Sequence, residues 1–271
     1  MSVRFPTLYL THGGGPWPYM SGEARLAHRR LEESLRELPQ QLPARPEAIL
    51  VISGHWEERE FAVMTGAAPG MIYDFGGFPE ELYHIRYPAA GSPRFAERAL
   101  SLIQQAKLPV RADAGRGFDH GTYSILAVAY PQADIPVFQV SLRADYDSQA
   151  HLSLGRALAP LRDAGVLIIG SGSSYHNLRR FFEPGVRRDD AGQFDAWLRQ
   201  TLLDSTPQRR MERLLEWQQA PGAREAHPRA DHLMPLHVAA GAAQEEPARM
   251  LYHQEDFLGT ITLSSFRFGS P

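Results

Sequence analysis

The chain of 271 residues contains no cysteine. That excludes disulfides, thiolate metal sites and a cysteine nucleophile, and it leaves eleven histidines as the available soft-metal ligands. No apolar run is long enough to span a bilayer. Met1 to Leu10 lacks a basic segment followed by a long apolar stretch, so no secretory leader is expected. Charge of one sign is missing too: a formal net charge of -3 gives no electrostatic reason to expect nucleic acid or an anionic membrane as partner. No internal repeat or low-complexity tract stands out. These absences describe a cytoplasmic protein, with a small polar or aromatic molecule open as its substrate and a homo-oligomer left open.

What is present is core-forming sequence, 43% hydrophobic against 22% charged, enough for one α/β domain across residues 1–271. Short apolar runs alternate with amphipathic segments, as in α/β proteins. Thr7 to Leu10, Ala48 to Ile52, Val137 to Leu142 and Val166 to Ile169 read as strands buried on both faces. Glu23 to Leu38, His151 to Leu161, Phe194 to Leu203 and Arg209 to Trp217 read as helices, and Gly259 to Phe268 as a late edge strand. Met71 to Pro93, crowded with aromatics, proline and glycine, reads as an ordered loop over a site.

The chemistry gathers where the strands stop. Thr11-His12-Gly13-Gly14-Gly15 and Ser53-Gly54-His55-Trp56 each place a histidine directly after an apolar run. Ligands in open α/β sheets bind beyond the carboxyl ends of the strands, so His12 and His55 should converge on one crevice. His176 follows Val166 to Ile169 through a Gly-Ser turn, again at a carboxyl end. His120, in Phe118-Asp119-His120-Gly121, reads equally as an imidazole aimed at a site or as a helix start capped by Asp119. His227, His232 and His237 recur every five residues around Pro228 and Pro235, so they cannot share one helix face, and at most one reaches a metal. His28, His151 and His253 sit in charged or amphipathic contexts and read as surface residues. Three neutral imidazoles with open coordination positions suit Zn(II) or Fe(II).

The chain resembles the extradiol aromatic ring-opening dioxygenases of the LigB-like superfamily, specifically the DOPA 4,5-dioxygenase type. The resemblance runs nearly end to end and is carried in order by Leu10-Thr11-His12-Gly13-Gly14-Gly15-Pro16, Ile52-Ser53-Gly54-His55-Trp56, Tyr73-Asp74-Phe75-Gly76-Gly77-Phe78-Pro79 and Gly117-Phe118-Asp119-His120-Gly121. It continues through Ile169-Gly170-Ser171-Gly172, His176-Asn177-Leu178, and the run from His227-Pro228 to His232 and Pro235-Leu236-His237. The first segment departs from the commoner Ser-His-Gly-Ser-Pro form at Gly14 and Gly15.

The resemblance implies a single α/β domain with a central mostly parallel or mixed sheet flanked by helices. It also implies a metal at the strand carboxyl ends, held by His12, His55 and His232. His176 matches a catalytic acid/base histidine, and His120 would lie in the same pocket. Fe(II) is the expected working metal, with Zn(II) as an ion the site would also take. The expected reaction is ring cleavage of a DOPA-like or other catechol with O2 to a semialdehyde. Tyr73, Phe75, Phe78, Trp17 and His237 are candidates to contact the ring. Two other readings of the same histidines are a Zn(II)-dependent hydrolase and a catalytically silent Memo-like metal-binding protein.

Overall fold

The apolar runs become the strands of one twisted sheet. The computed structural model describes residues 3–181 and 188–270, the side chains of 188–190 excepted. The strands are β1 (Thr7–Thr11), β2 (Ala48–Ser53), β3 (Glu57–Glu58), β4 (Phe61–Met64), β5 (Val110–Asp113), β6 (Val137–Gln139), β7 (Leu142–Arg143), β8 (Val166–Gly172), β9 (Ala248–Phe257) and β10 (Ile261–Phe268). The helices are α1 (Gly22–Leu26), α2 (Arg29–Glu37), α3 (Pro93–Gln105), α4 (His120–Ala129), α5 (Ser148–Leu158), α6 (Leu178–Phe181), α7 (Arg188–Leu203), α8 (Pro207–Leu215), α9 (Ala223–Ala226) and α10 (Met234–Ala242). None is long and apolar enough to cross a membrane among the described residues.

Six strands form the central sheet in the order β6-β2-β8-β1-β10-β9. The first three pairings are parallel, and β10 and β9 complete the sheet antiparallel. The mostly parallel α/β fold expected from the alternating pattern is therefore the fold observed. β1, β2 and β8 are buried throughout, because helices cover both faces of the sheet. The register puts Thr11 opposite Gly172 and Ser53 opposite Ser171. Three carboxyl ends thus finish level, at one edge of the molecule.

Several elements differ from the sequence reading. The stretch from Glu23 to Leu38 is two helices, because His28 turns inward: its Nδ1 lies 2.9 Å from the Ala24 carbonyl and its ring stacks on Trp17 at 4.8 Å. The run from Val137 to Leu142 splits, since the backbone beyond Val140 leaves β2 and donates instead to the carbonyls of Ala62 and Trp56. Gly259 to Phe268 is not an edge. β10 lies between β1 and β9, and the edge is β9, whose polar sequence Ala-Arg-Met-Leu-Tyr-His-Gln-Glu-Asp-Phe hides a strand exposed on one side.

His28 and His151 are both buried rather than on the surface. The Nε2 of His151 accepts from the Arg143 N–H at 3.2 Å, so its Nδ1 carries the proton and donates to the Asp147 carbonyl at 2.8 Å. Burial lowers this imidazole to about 4, with His237 and Arg143 contributing. A second proton would turn the acceptor into a donor facing another donor. The unfolded histidine titrates near 6.5, so the unfolded chain binds more protons between these values, and this stability is lost as pH falls from about 6.5 towards 4. Urea unfolding at pH 7 and pH 5 should show the native chain losing about 2 kcal/mol more than His151→Gln. Equal losses would remove the assignment.

Candidate active site

The strand ends deliver His12 and His55 as loops, and hydrogen bonds fix each ring. The backbone N–H of His12 donates to the Gly172 carbonyl at 3.1 Å, and Trp17 Nε1 donates to the His12 carbonyl at 2.6 Å. The Ser171 hydroxyl, which donates to the Gly121 carbonyl, accepts from His12 Nδ1 at 3.1 Å. Because that hydroxyl proton is already used, His12 must carry its own proton on Nδ1 and leave the Nε2 lone pair free. His55 is set by a longer chain of contacts. Its N–H donates to Ser53 Oγ at 3.2 Å, and Ser53 Oγ donates to the buried Asp119 at 2.7 Å. Arg116 holds the other Asp119 oxygen at 2.6 Å and reaches the His55 carbonyl at 3.3 Å.

His232 arrives from the loop before α10. Its carbonyl accepts from Ser173 N–H at 3.1 Å and from the Tyr9 hydroxyl at 2.8 Å. The loop can press this close because Gly172 has no side chain: a Cβ there would stand 2.1 Å from the same carbonyl. Asp231 accepts from the His232 N–H at 2.8 Å, and burial raises its carboxyl to about 6.

These supports bring three ring nitrogens face to face. His55 Nε2 lies 3.2 Å from His12 Nε2 and 3.1 Å from His232 Nε2. Burial first, then the neighbouring histidines, push all three well below the ordinary imidazole value, so the three rings are neutral and could hold a metal ion. Two nitrogens about 2.1 Å from a shared ion are about 3.0 Å apart at right angles and about 3.4 Å apart in a tetrahedron. The observed spacings fall between, and the donor set fits a divalent transition metal.

His120 and His176 flank this group. His120 opens α4, where Asp119 accepts from the Thr122 N–H at 3.0 Å. The helix-cap reading of this segment is therefore observed, and the His120 ring also lines the cavity. Asp74 Oδ1 accepts from His120 Nδ1 at 2.8 Å and from its backbone N–H at 3.1 Å, while Oδ2 lies 3.2 Å from His55 Nδ1. One carboxylate thus orients two rings whose centroids are 3.9 Å apart. The His176 ring stacks on His232 at 3.3 Å, and its Nδ1 is 3.8 Å from Asp231. Burial, then His120 and Arg229, lower His176 to about 4.

All five histidines open onto one cavity of about 510 Å³. Phe75 also lines it, with its ring 6.3 Å from that of His120. The other ring-contact candidates do not reach it. Trp17 is fully buried beneath His12 and against His28. His237 is buried with Nε2 2.9 Å from the Leu214 carbonyl. Tyr73 gives its hydroxyl to the Ile85 carbonyl at 2.8 Å and faces a neighbouring pocket, while Phe78 packs edge-on against Phe75. His227 is buried against the Ser174 carbonyl, which leaves His232 alone of its run at the cavity. Sequence reasoning missed Asp74, Ser171 and Arg116 as supports; Asp74 lay inside a segment already singled out.

A mostly parallel α/β sheet with neutral histidines gathered at its strand ends is an arrangement that could hold a metal ion. Comparison with known proteins is narrower. Residues 6–266 match the model of the catalytic LigB subunit of aromatic ring-opening dioxygenase, and the chain belongs to that family. It is 39% identical to the 4,5-DOPA dioxygenase extradiol of Beta vulgaris, over 97% of this chain and 96% of that one. It is 34% identical to the 4,5-DOPA dioxygenase extradiol of Escherichia coli K12, over 99% and 96%. The crystal structure of an uncharacterized protein from Escherichia coli K12 superposes with a TM-score of 0.79 at 31% identity, covering 98% of this chain and all of that one.

Proposed function

We propose that this protein is an extradiol dioxygenase that opens the ring of a substituted catechol with O2 to a semialdehyde, using Fe(II) held by His12, His55 and His232. The observation that carries the reading is the set of three converging Nε2 atoms, with that of His55 3.1 and 3.2 Å from those of His232 and His12, beside two further imidazoles in one cavity. Iron, when bound there, supplies Lewis acidity towards the catechol hydroxyls and the one-electron chemistry that O2 requires.

The protein's own groups move protons and exclude water. His120, with Nδ1 committed to Asp74, presents a basic Nε2 that takes a proton from a substrate hydroxyl. His176 is half-buried and neutral, so it too enters as a base; once protonated it returns the proton to oxygen as the ring opens. Phe75 offers an aromatic edge to a flat ring. Asp74 and Asp231 hold the histidines in their working orientation: Asp74 contacts the His120 and His55 rings and the His120 backbone, and Asp231 accepts from the His232 N–H and lies 3.1 Å from His232 Nδ1.

Oxygen consumption and visible absorbance with DOPA, caffeate and protocatechuate test the proposal, comparing Fe(II)-loaded with Zn(II)-loaded protein. Iron-dependent uptake with a yellow product is expected. Hydrolysis of an ester by the zinc form, with no uptake by the iron form, would overturn it.

A further inference from the structure

The cavity has two unlike walls. Glu57, Asp231, Arg229 and the histidines make one, while Phe75, Leu178, Phe181, Phe257, Leu258 and Leu263 supply the apolar lining. Two of these are exposed at the mouth, Leu178 at 56% and Leu258 at 47%. Leu258 is also strained. It occupies the turn between β9 and β10 at φ +48°, a left-handed conformation that a branched apolar side chain disfavours and asparagine or glycine accepts. A leucine that is exposed, strained and placed on a site calls for a ligand-based explanation.

Gly14 adds room at the same site. It lines the cavity two residues beyond His12, its backbone is not left-handed, and a Cβ built there meets nothing within 4 Å. The space is larger than a catechol ring needs, since cavities of this size hold drug-sized molecules.

The charges do not offer an amino acid a free site. Arg229 is the one Lys or Arg lining the cavity among the described residues, and it is engaged by the Glu57 carboxylate and, at 2.7 Å, by the Tyr146 hydroxyl. A carboxylate on the substrate would have to displace Glu57, and an ammonium group would compete with Arg229 for it. Arg229 is 61% exposed, so what opposes such a substrate is the exchange of these partners, while an alkyl group meets no competitor.

We infer that the preferred substrate is a catechol carrying an extended apolar substituent, which lies over Gly14 and against Leu258, Leu178 and Phe257, and not one carrying a charged amino-acid side chain. The inference rests on the catechol-cleaving reading above. It assigns a specificity role to the β9–β10 turn, which carries no group of the metal cage.

Calorimetric titration of the metal-loaded protein under nitrogen, with 4-butylcatechol and with DOPA, tests the preference apart from turnover. 4-Butylcatechol should bind at least about tenfold more tightly, from the transfer of its alkyl carbons out of water. In Leu258→Asn, which relieves the backbone and so keeps the fold, that ratio should fall about threefold or more. Gly14→Val should lower it as well by filling the space. DOPA binding as tightly as 4-butylcatechol, or a ratio unchanged in both variants, would overturn the inference. Oxygen uptake in air with unsubstituted catechol, run in parallel, reports the chemistry separately. Tight apolar-selective binding without uptake from any catechol would sink the dioxygenase reading and leave the cavity's preference standing.

Discussion

His232→Ala should leave a folded protein that no longer retains metal, with ring cleavage reduced on the order of 10³-fold or more. The ring removed supplies one of three nitrogens meeting at 3.1 to 3.2 Å. It also leaves His176 without the ring on which it stacks. The backbone bonds to residue 232 survive the substitution, because Ser173 and Tyr9 grip its carbonyl and not its side chain. Metal content by plasma emission spectroscopy, alongside circular dichroism, is the measurement. The informative control is His237→Ala, five residues on in the same histidine-rich run. That ring is buried beside the Leu214 carbonyl, so its loss should cost about 1–3 kcal/mol of stability while metal stays bound. Full metal occupancy in His232→Ala would break the proposed ligand set.

His176→Ala divides binding from chemistry in the opposite way. This ring lies in the cavity beside the cage, and none of its nitrogens is among the three that face one another. The variant should hold metal and bind catechol with little change, while kcat falls about 10²- to 10⁴-fold, the range carried by a positioned general acid or base. His120→Ala should do the same more mildly, and Asp74→Asn should mimic part of that loss, because an amide can present its NH2 to His120 Nδ1. A kcat for His176→Ala within a factor of two of the native value, with metal confirmed, would assign proton transfer elsewhere.

The parts of this molecule that were legible in its sequence share one property: a local pattern that the fold does not override. Buried parallel strands are continuously apolar, so β1, β2 and β8 stand out, and the residues just beyond them fall at the carboxyl edge by topology. That is why His12, His55 and His176 could be placed at one crevice without any model of the cage. β9 was invisible for the complementary reason: one face meets solvent, and its sequence is polar enough to pass for loop. The buried positions of His28 and His151 were also hidden, since an imidazole that finds backbone partners, at both nitrogens in His151 and at Nδ1 in His28, is compatible with a core, and that packing is set by tertiary contacts.

Trp17 shows the limit in another way. An aromatic residue five positions from His12 reads as a contact for the substrate ring, yet its indole N–H is needed beneath the loop, where it donates to the His12 carbonyl. Asp74 is the converse case. Nothing in Tyr73-Asp74-Phe75 distinguishes a solvated acid from one that bridges two imidazoles, because the bridge exists only when α4 and the strand ends are brought together.

The grip on the His232 carbonyl has a consequence for how such a protein can diversify. The position of that ring is written into main-chain groups, the Asp231 carboxylate and the missing side chain of Gly172. Arg229, three positions away, faces the occupant and is half of an ion pair with Glu57. Exchanging that pair for other side chains alters what is welcomed at the mouth while the backbone grip on His232 stays in place. Chemistry and selectivity are inherited on adjacent residues, yet each can drift on its own.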